Sequence, residues 1–269
     1  LLGQEELMAS LSFTVVGPGR PRFAFLHGLF GRGRNWTQIA QGLAAQGHAS
    51  VLFDLPNHGA SAWTETFSYA QMAAAVARDI EHRIGAAPLV LVGHSMGGKV
   101  AMLTALTRPQ LLAGLAVVDI APTDSAQVSS FGPYIEAMRS IDLASLHSKA
   151  DAEQQLVERV PNSAVRKFLL TNLRERSGWH WQPNLELLRA SLPELAAWPE
   201  VGSLTYPGPT SWIVGERSVY YHPADLALMR RYFPAAEEVV IPGAGHWVHA
   251  DNPSAVIAAL AEISAASPS

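Results

Sequence analysis

The chain has 269 residues, 48% of them apolar and 16% charged, and contains no cysteine. Without cysteine there is no disulfide framework, no thiolate metal site and no cysteine nucleophile. With 19 Lys+Arg against 23 Asp+Glu the formal net charge is −4, so no basic excess exists to neutralise a nucleic-acid backbone.

This length suits one or two domains and buries a large core without staples. The longest apolar run, LLAGLAVV at 111–118, is far shorter than a bilayer crossing needs. The opening LLGQEELMASLSF lacks a basic n-region and carries two adjacent glutamates, so it does not read as a secretory signal. Its first seven residues read as an appended or trimmed leader ahead of a start at Met8. A cytoplasmic protein that does not insert into a membrane is the expectation.

In chain order, strands are expected at Phe13–Val16 and Arg22–Leu26. A helix follows from Asn35, with Gln38 three positions on and Gly47 past its last turn. Strand Ala49–Phe53 precedes a helix from Ser68, where Met72, Val76, Ile80 and Ile84 make one apolar stripe. Strand Leu89–Val92 runs into a helix from Ser95 to Thr107, stopped by Pro109, and strand Leu115–Val118 comes next. From 121 to 198 no strand is expected. Helical patterns at Tyr134–Ile141, Ala152–Val160, Ala164–Leu173 and Asn184–Ala197 are separated by Pro133, Pro161 and Pro183. Strands Ser211–Val214 and Glu238–Ile241 follow, and Asn252-Pro253 opens a last helix, Ser254–Ser264, before an end expected to fray. Short apolar strands alternating with helices specify a mostly parallel, doubly wound α/β sheet. Residues 1–120 and 199–269 form its core, with 121–198 inserted as a helical cap.

The chemistry concentrates in Gly93-His94-Ser95-Met96-Gly97. A buried strand enters this G-x-S-x-G and a helix leaves it. Such a turn strains the serine and lifts its hydroxyl above the sheet, while Gly93 and Gly97 avoid collisions with the neighbouring strand and helix. The helix N-terminus adds unpaired N–H groups beside that hydroxyl. Of the ten histidines, His246 follows the last strand in Pro242-Gly-Ala-Gly-His246-Trp247, on the same sheet edge as Ser95. It is the expected general base; His249 is the rival, and His27 and His94 read as structural. His246 and His249 as a metal pair lack a third ligand, so no metal and no cofactor are expected.

With His27-Gly28-Leu29-Phe30-Gly31 after the second strand, the chain resembles the α/β-hydrolase family. The resemblance implies an oxyanion hole made by the N–H groups of Leu29 and Met96. It also places an acid after strand Ser211–Val214, where this chain reads Val214-Gly-Glu-Arg-Ser218, with serine in place of the usual aspartate. Asp119, at the end of the preceding strand, is the preferred carboxylate, with Glu216 and Asp225 as alternatives. Together HGLFG, DLPNHG, GHSMGGKVAM, VVDIAP and GAGHWVHADNP are similar to the YbfF-like esterase group within that family, whose members carry the acid in VVDIAP. The implied function is a carboxylesterase acting through Ser95, His246 and Asp119 on short to medium acyl esters. Phe30 and Trp247 are expected to line an apolar acyl pocket. The same triad also serves thioester or C–C bond hydrolysis, acyl transfer or cofactor-free perhydrolysis, and a non-enzymatic receptor on this fold is a third reading. The partner is a small-molecule ester, not a nucleic acid; the sequence leaves the oligomeric state open.

Overall fold

In Leu89-Val-Leu-Val92 and Leu115-Ala-Val-Val118 every residue is apolar and every residue is buried. Strands of this kind need cover on both faces, and the alternation of side chains supplies it. Val90 and Val92 face a cluster with Trp36, Leu43, Val256 and Leu260; Leu89 and Leu91 face one with Met72, Val76 and Val100. Each buried Val or Leu contributes about 1.5–3 kcal/mol.

The computed structural model describes residues 10–85 and 87–266, so the leader reading of residues 1–7 and the last three residues of the fraying end lie outside it. The elements in order are β1 (Phe13–Val16), β2 (Pro21–Leu26), α1 (Thr37–Ala45), β3 (Ala49–Phe53), α2 (Tyr69–Asp79), β4 (Leu89–His94), α3 (Met96–Thr107) and β5 (Leu112–Val118). Then come α4 (Gly132–Arg139), α5 (Lys149–Leu156), α6 (Ser163–Leu170), β6 (Leu173–Glu175), β7 (Trp179–Trp181), α7 (Leu185–Ala190) and α8 (Leu192–Ala196). The chain closes with β8 (Thr210–Gly215), α9 (Asp225–Tyr232), β9 (Ala236–Ile241), α10 (Val248–Asp251) and α11 (Pro253–Ala266).

Seven strands form one sheet in the order β1-β3-β2-β4-β5-β8-β9. Only β1 runs antiparallel, against β3. The fold is the expected mostly parallel α/β sheet with helices on both faces. Its parallel register aligns Leu26 with Gly93, His94 with Val118, and Gly215 with Ile241. The carboxyl ends of β2, β4, β5, β8 and β9 therefore share one edge, where loops emerge.

Several local expectations are corrected. Asn35 is not a helix N-cap: it lies in a 3-10 turn, Gly33–Trp36, and its side chain accepts from Arg32 N–H at 2.7 Å. The pattern at 184–197 is two helices, α7 and α8, because Pro193 has no N–H to continue the first. The segment 121–198 contains strands after all, the antiparallel pair β6 and β7. At three residues each, with Arg174 and Glu175 in one of them, they are too short to show a period. Their turn has Ser177 and Gly178 at φ of +56° and +104°. Buried Ile135, Met138, Leu156, Leu169 and Leu188 of this segment join the same apolar cluster as Met72 and Val100. Among the described residues no helix is long and apolar enough to cross a membrane.

Candidate active site

Ser95 caps α3 at φ +53° and ψ −117°, a conformation that costs a non-glycine residue roughly 1–3 kcal/mol. Packing enforces it. A methyl group on Gly93 would lie 2.2 Å from the carbonyl oxygen of Gly97, and one on Gly97 would lie 2.5 Å from that of His27. Strand and helix thus touch backbone to backbone around the serine. Its own N–H is held by Val118 O at 3.0 Å. Ser95 is 8% exposed, and no side-chain acceptor or donor engages its hydroxyl among the described residues.

The loop after β2 lies against this turn, since a methyl on Gly28 would come within 3.3 Å of Ser95 Cβ. Two histidines hold it. His27 Nε2 accepts the N–H of Leu55 at 2.9 Å, and His58 Nε2 accepts the N–H of Phe30 at 3.2 Å. The other ring nitrogens, Nδ1, then carry hydrogen and donate to Gly28 O and Pro56 O. The loops HGLFG and DLPNHG therefore clasp each other reciprocally. Both rings must be neutral to accept, and burial pushes them down to about 4 for His27 and about 3 for His58. In this frame the N–H groups of Leu29 and Met96 carry no acceptor among the described residues.

Asp119 ends β5 in another left-handed conformation, φ +55°, and is fully buried. Three donors converge on its carboxylate: Gly215 N–H on Oδ1 at 2.9 Å, His246 Nδ1 on Oδ2 at 2.6 Å, and the Ser218 hydroxyl on Oδ2. In a neutral imidazole, donation from Nδ1 to a carboxylate leaves Nε2 without hydrogen. The His246 ring stacks on Tyr220 at 4.0 Å, and its carbonyl oxygen accepts from His94 Nε2 at 2.8 Å. That bond requires hydrogen on His94 Nε2; burial, with His246 and His249 beside it, holds His94 well below the ordinary histidine range. Since His94 precedes Ser95, the loop bearing His246 sits at the serine turn, with the two imidazole rings 4.7 Å apart.

The alternative carboxylates lie elsewhere. Exposed Glu216 accepts from Gly243 N–H at 2.7 Å, and Asp225 opens α9. His249 packs on Trp36 at 4.4 Å rather than facing Asp119, and burial pushes it down to about 4. Among the described residues no three His, Asp or Glu side chains group as a metal site.

A recess of about 10 Å³, room for roughly one water, touches Ser95, Leu29 and Met96. Val128, Phe131 and Leu195 close it from the segment 121–198. Phe30 is not on its wall; it is 1% exposed and packs edge-on against Phe131. Trp247 is likewise outside it, packed against Phe168. A larger cavity of about 670 Å³, between Trp63, Trp181 and Glu186, contains neither Ser95 nor His246. Ser218 and Tyr220 were not foreseen as parts of the site. The serine in place of an aspartate was the available signal, because a hydroxyl there reaches a carboxylate from the adjacent strand. Nothing in the sequence marks Tyr220.

The sequence model of the alpha/beta hydrolase family matches residues 23–260. The sn-1-specific diacylglycerol lipase ABHD11 of Danio rerio is 40% identical over 250 residues, covering 90% of this chain and 77% of that protein. Esterase YbfF of Escherichia coli is 30% identical over 239 residues, covering 87% and 89%. Among solved structures, a marine microorganism esterase superposes with a TM-score of 0.89 at 32% identity, over 94% of this chain and 99% of that one.

Proposed function

Because the chain belongs to the alpha/beta hydrolase family, we propose that it hydrolyses carboxylic esters through an acyl-enzyme, with Ser95 as nucleophile, His246 as base and Asp119 as its orienting acid. The observation that carries this reading is the 2.6 Å contact of Asp119 Oδ2 with His246 Nδ1, in a loop bonded to the residue next to Ser95. Diacylglycerol lipase and esterase, the names borne by its relatives, agree with an ester substrate.

His246 Nε2 removes the Ser95 proton as Oγ attacks the ester carbonyl. The resulting imidazolium is stabilised by Asp119, which Ser218 and Gly215 hold in place. The oxyanion meets the N–H groups of Leu29 and Met96; each such donor lowers the barrier by about 2.7–4 kcal/mol. Protonated His246 releases the alcohol, and water then attacks the acyl-enzyme with His246 again as base. Residues 121–198 act as a cap over this site. Since the recess beside Ser95 holds only about 10 Å³, walls supplied by that cap repack when an acyl group enters.

The test is covalent. A fluorophosphonate probe is expected to label Ser95 in folded protein and to leave Ser95→Ala unlabelled. Wild-type protein that melts cooperatively, yet neither reacts with the probe nor cleaves any p-nitrophenyl ester, ends the proposal.

A further inference from the structure

Lys99 is only 1% exposed, and no step of the reaction above uses it. It stands on α3 one helical turn beyond Ser95, about 6 Å farther along the axis. Its Nζ donates to Ala196 O at 2.7 Å and Ala197 O at 2.9 Å, and lies 3.5 Å from Leu195 O. The Tyr69 hydroxyl completes that last carbonyl at 2.8 Å, with the ammonium 5.7 Å above its ring. These are the carbonyls at the C-terminal end of α8, where a helix leaves acceptors unpaired and favours a cation.

The same stretch is where the segment 121–198 returns to the sheet. Ala196 O also accepts from Ser125 N–H at 2.8 Å, and Trp198 N–H donates to Asp124 Oδ1 at 2.7 Å. The departing and returning ends of the segment are thus tied to each other, with Lys99 bound to the same carbonyls. Burial lowers the Lys99 ammonium to about 8, opposed by the charge of Asp124.

Lys99, Tyr69 and Leu195 also line the recess that begins at Ser95, Leu29 and Met96. We infer that Lys99 and Tyr69 fasten Leu195–Ala197 as the back wall of that recess and thereby set the longest acyl chain the protein hydrolyses. This rests on Ser95 being the nucleophile. The ammonium does not bind a substrate carboxylate, because its donors are taken by main-chain carbonyls. Without it, Ala197 O loses its donor in a dry site while Leu195 O and Ala196 O keep only Tyr69 and Ser125, and the wall shifts to regain partners.

The experiment measures kcat/KM for p-nitrophenyl acetate, butyrate, octanoate and decanoate in wild type, Lys99→Met, Tyr69→Phe and Leu195→Ala. Fluorophosphonate titration counts active sites. Wild type is expected to favour acetate and butyrate. In each variant the octanoate-to-butyrate ratio is expected to rise about tenfold or more, the scale of chain-length discrimination by a pocket wall. Leu195→Ala enlarges the wall without removing the buried charge, so the test survives if Lys99→Met does not fold. An unchanged ratio in variants that still titrate fully overturns the inference. So does a wild-type preference for a monosuccinyl over a butyryl ester, which would make Lys99 a substrate-binding cation. Wild type that neither titrates nor hydrolyses overturns the nucleophile itself, and the wall with it.

Discussion

The sheet edge and the segment 121–198 treat polar groups in opposite ways. At the edge, Asp119, His27, His58 and His94 are buried, and each is held by named donors or acceptors. Four of the five described non-glycine residues with positive φ cluster there: Phe30, Asn57, Ser95 and Asp119. In the inserted segment most charges lie on the surface, with Arg166 and Arg174 half-buried. Arg139 bonds Glu186 at 2.6 Å and Glu136 at 3.0 Å, all three substantially exposed. The contrast teaches where rigidity has been concentrated. Strain and buried polarity are tolerated where a fixed geometry is needed, and the segment above is joined to the core by apolar packing, by the Lys99 tie and by bonds to the loops of the sheet edge, such as Asn172 Nδ2 to Phe30 O at 2.7 Å and Asn184 N–H to Asn57 O at 3.0 Å.

The largest effect expected from breaking this contrast comes at Asp119. Asp119→Asn should lower kcat on a p-nitrophenyl ester about 10⁴-fold, by admitting the wrong His246 tautomer. Glu216→Gln should leave kcat near wild type, because its carboxylate bonds Gly243 instead. The reverse result would move the acid to Glu216.

Ser218→Ala sharpens the comparison at smaller scale. A hydrogen bond to a charged group contributes about 1.5–3 kcal/mol, so kcat should fall roughly 10–100-fold with KM little changed. Ser218→Thr, which keeps the hydroxyl, should restore most of the loss. An unaffected kcat in Ser218→Ala would make the serine a packing residue.

The buried histidines predict a pH dependence of stability. His27, His58 and His249 drop from the ordinary 6.5 to about 4, about 3 and about 4. Below pH 6.5 the unfolded chain binds protons at these sites while the folded chain does not, so acid favours unfolding. Stability is full above about pH 6.5 and is lost as pH falls toward 4, by about 1.4 kcal/mol per pH unit for each histidine. Thermal melts from pH 7 to 4.5 check this, and a flat Tm would show that these rings charge without cost. The smallest effect belongs to the inserted segment. Arg139→Ala removes an exposed ion-pair set and should leave Tm unchanged within error.

How far the sequence reads depends on whether a signal is local. The strands β3, β4 and β5 were legible because a strand buried on both faces must be apolar along its length. The Ser95 turn was legible because close backbone approach admits only glycine at Gly93 and Gly97. The hairpin β6–β7 was not, since three residues give no period, and the helix break at Pro193 passed unread. Phe30 looked like a pocket residue because aromatics line pockets, but aromatics fill cores equally well, and Phe30 is nearly fully buried, whereas Trp247 lines a small recess of about 20 Å³ with Leu29 and Phe168.

The sequence by itself determined the strand–helix alternation, the strained serine turn and the sheet edge on which Ser95, Asp119 and His246 emerge. Chain order and parallel register are enough for that, because every parallel strand ends on the same side. Only the tertiary structure decided which carboxylate faces His246, that Ser218 and Gly215 hold it, and that Lys99 ties down the returning chain. Those pairings join residues as far as 127 positions apart, as His246 and Asp119 are. Their specificity lies in distance and direction between separate elements, which no local pattern encodes.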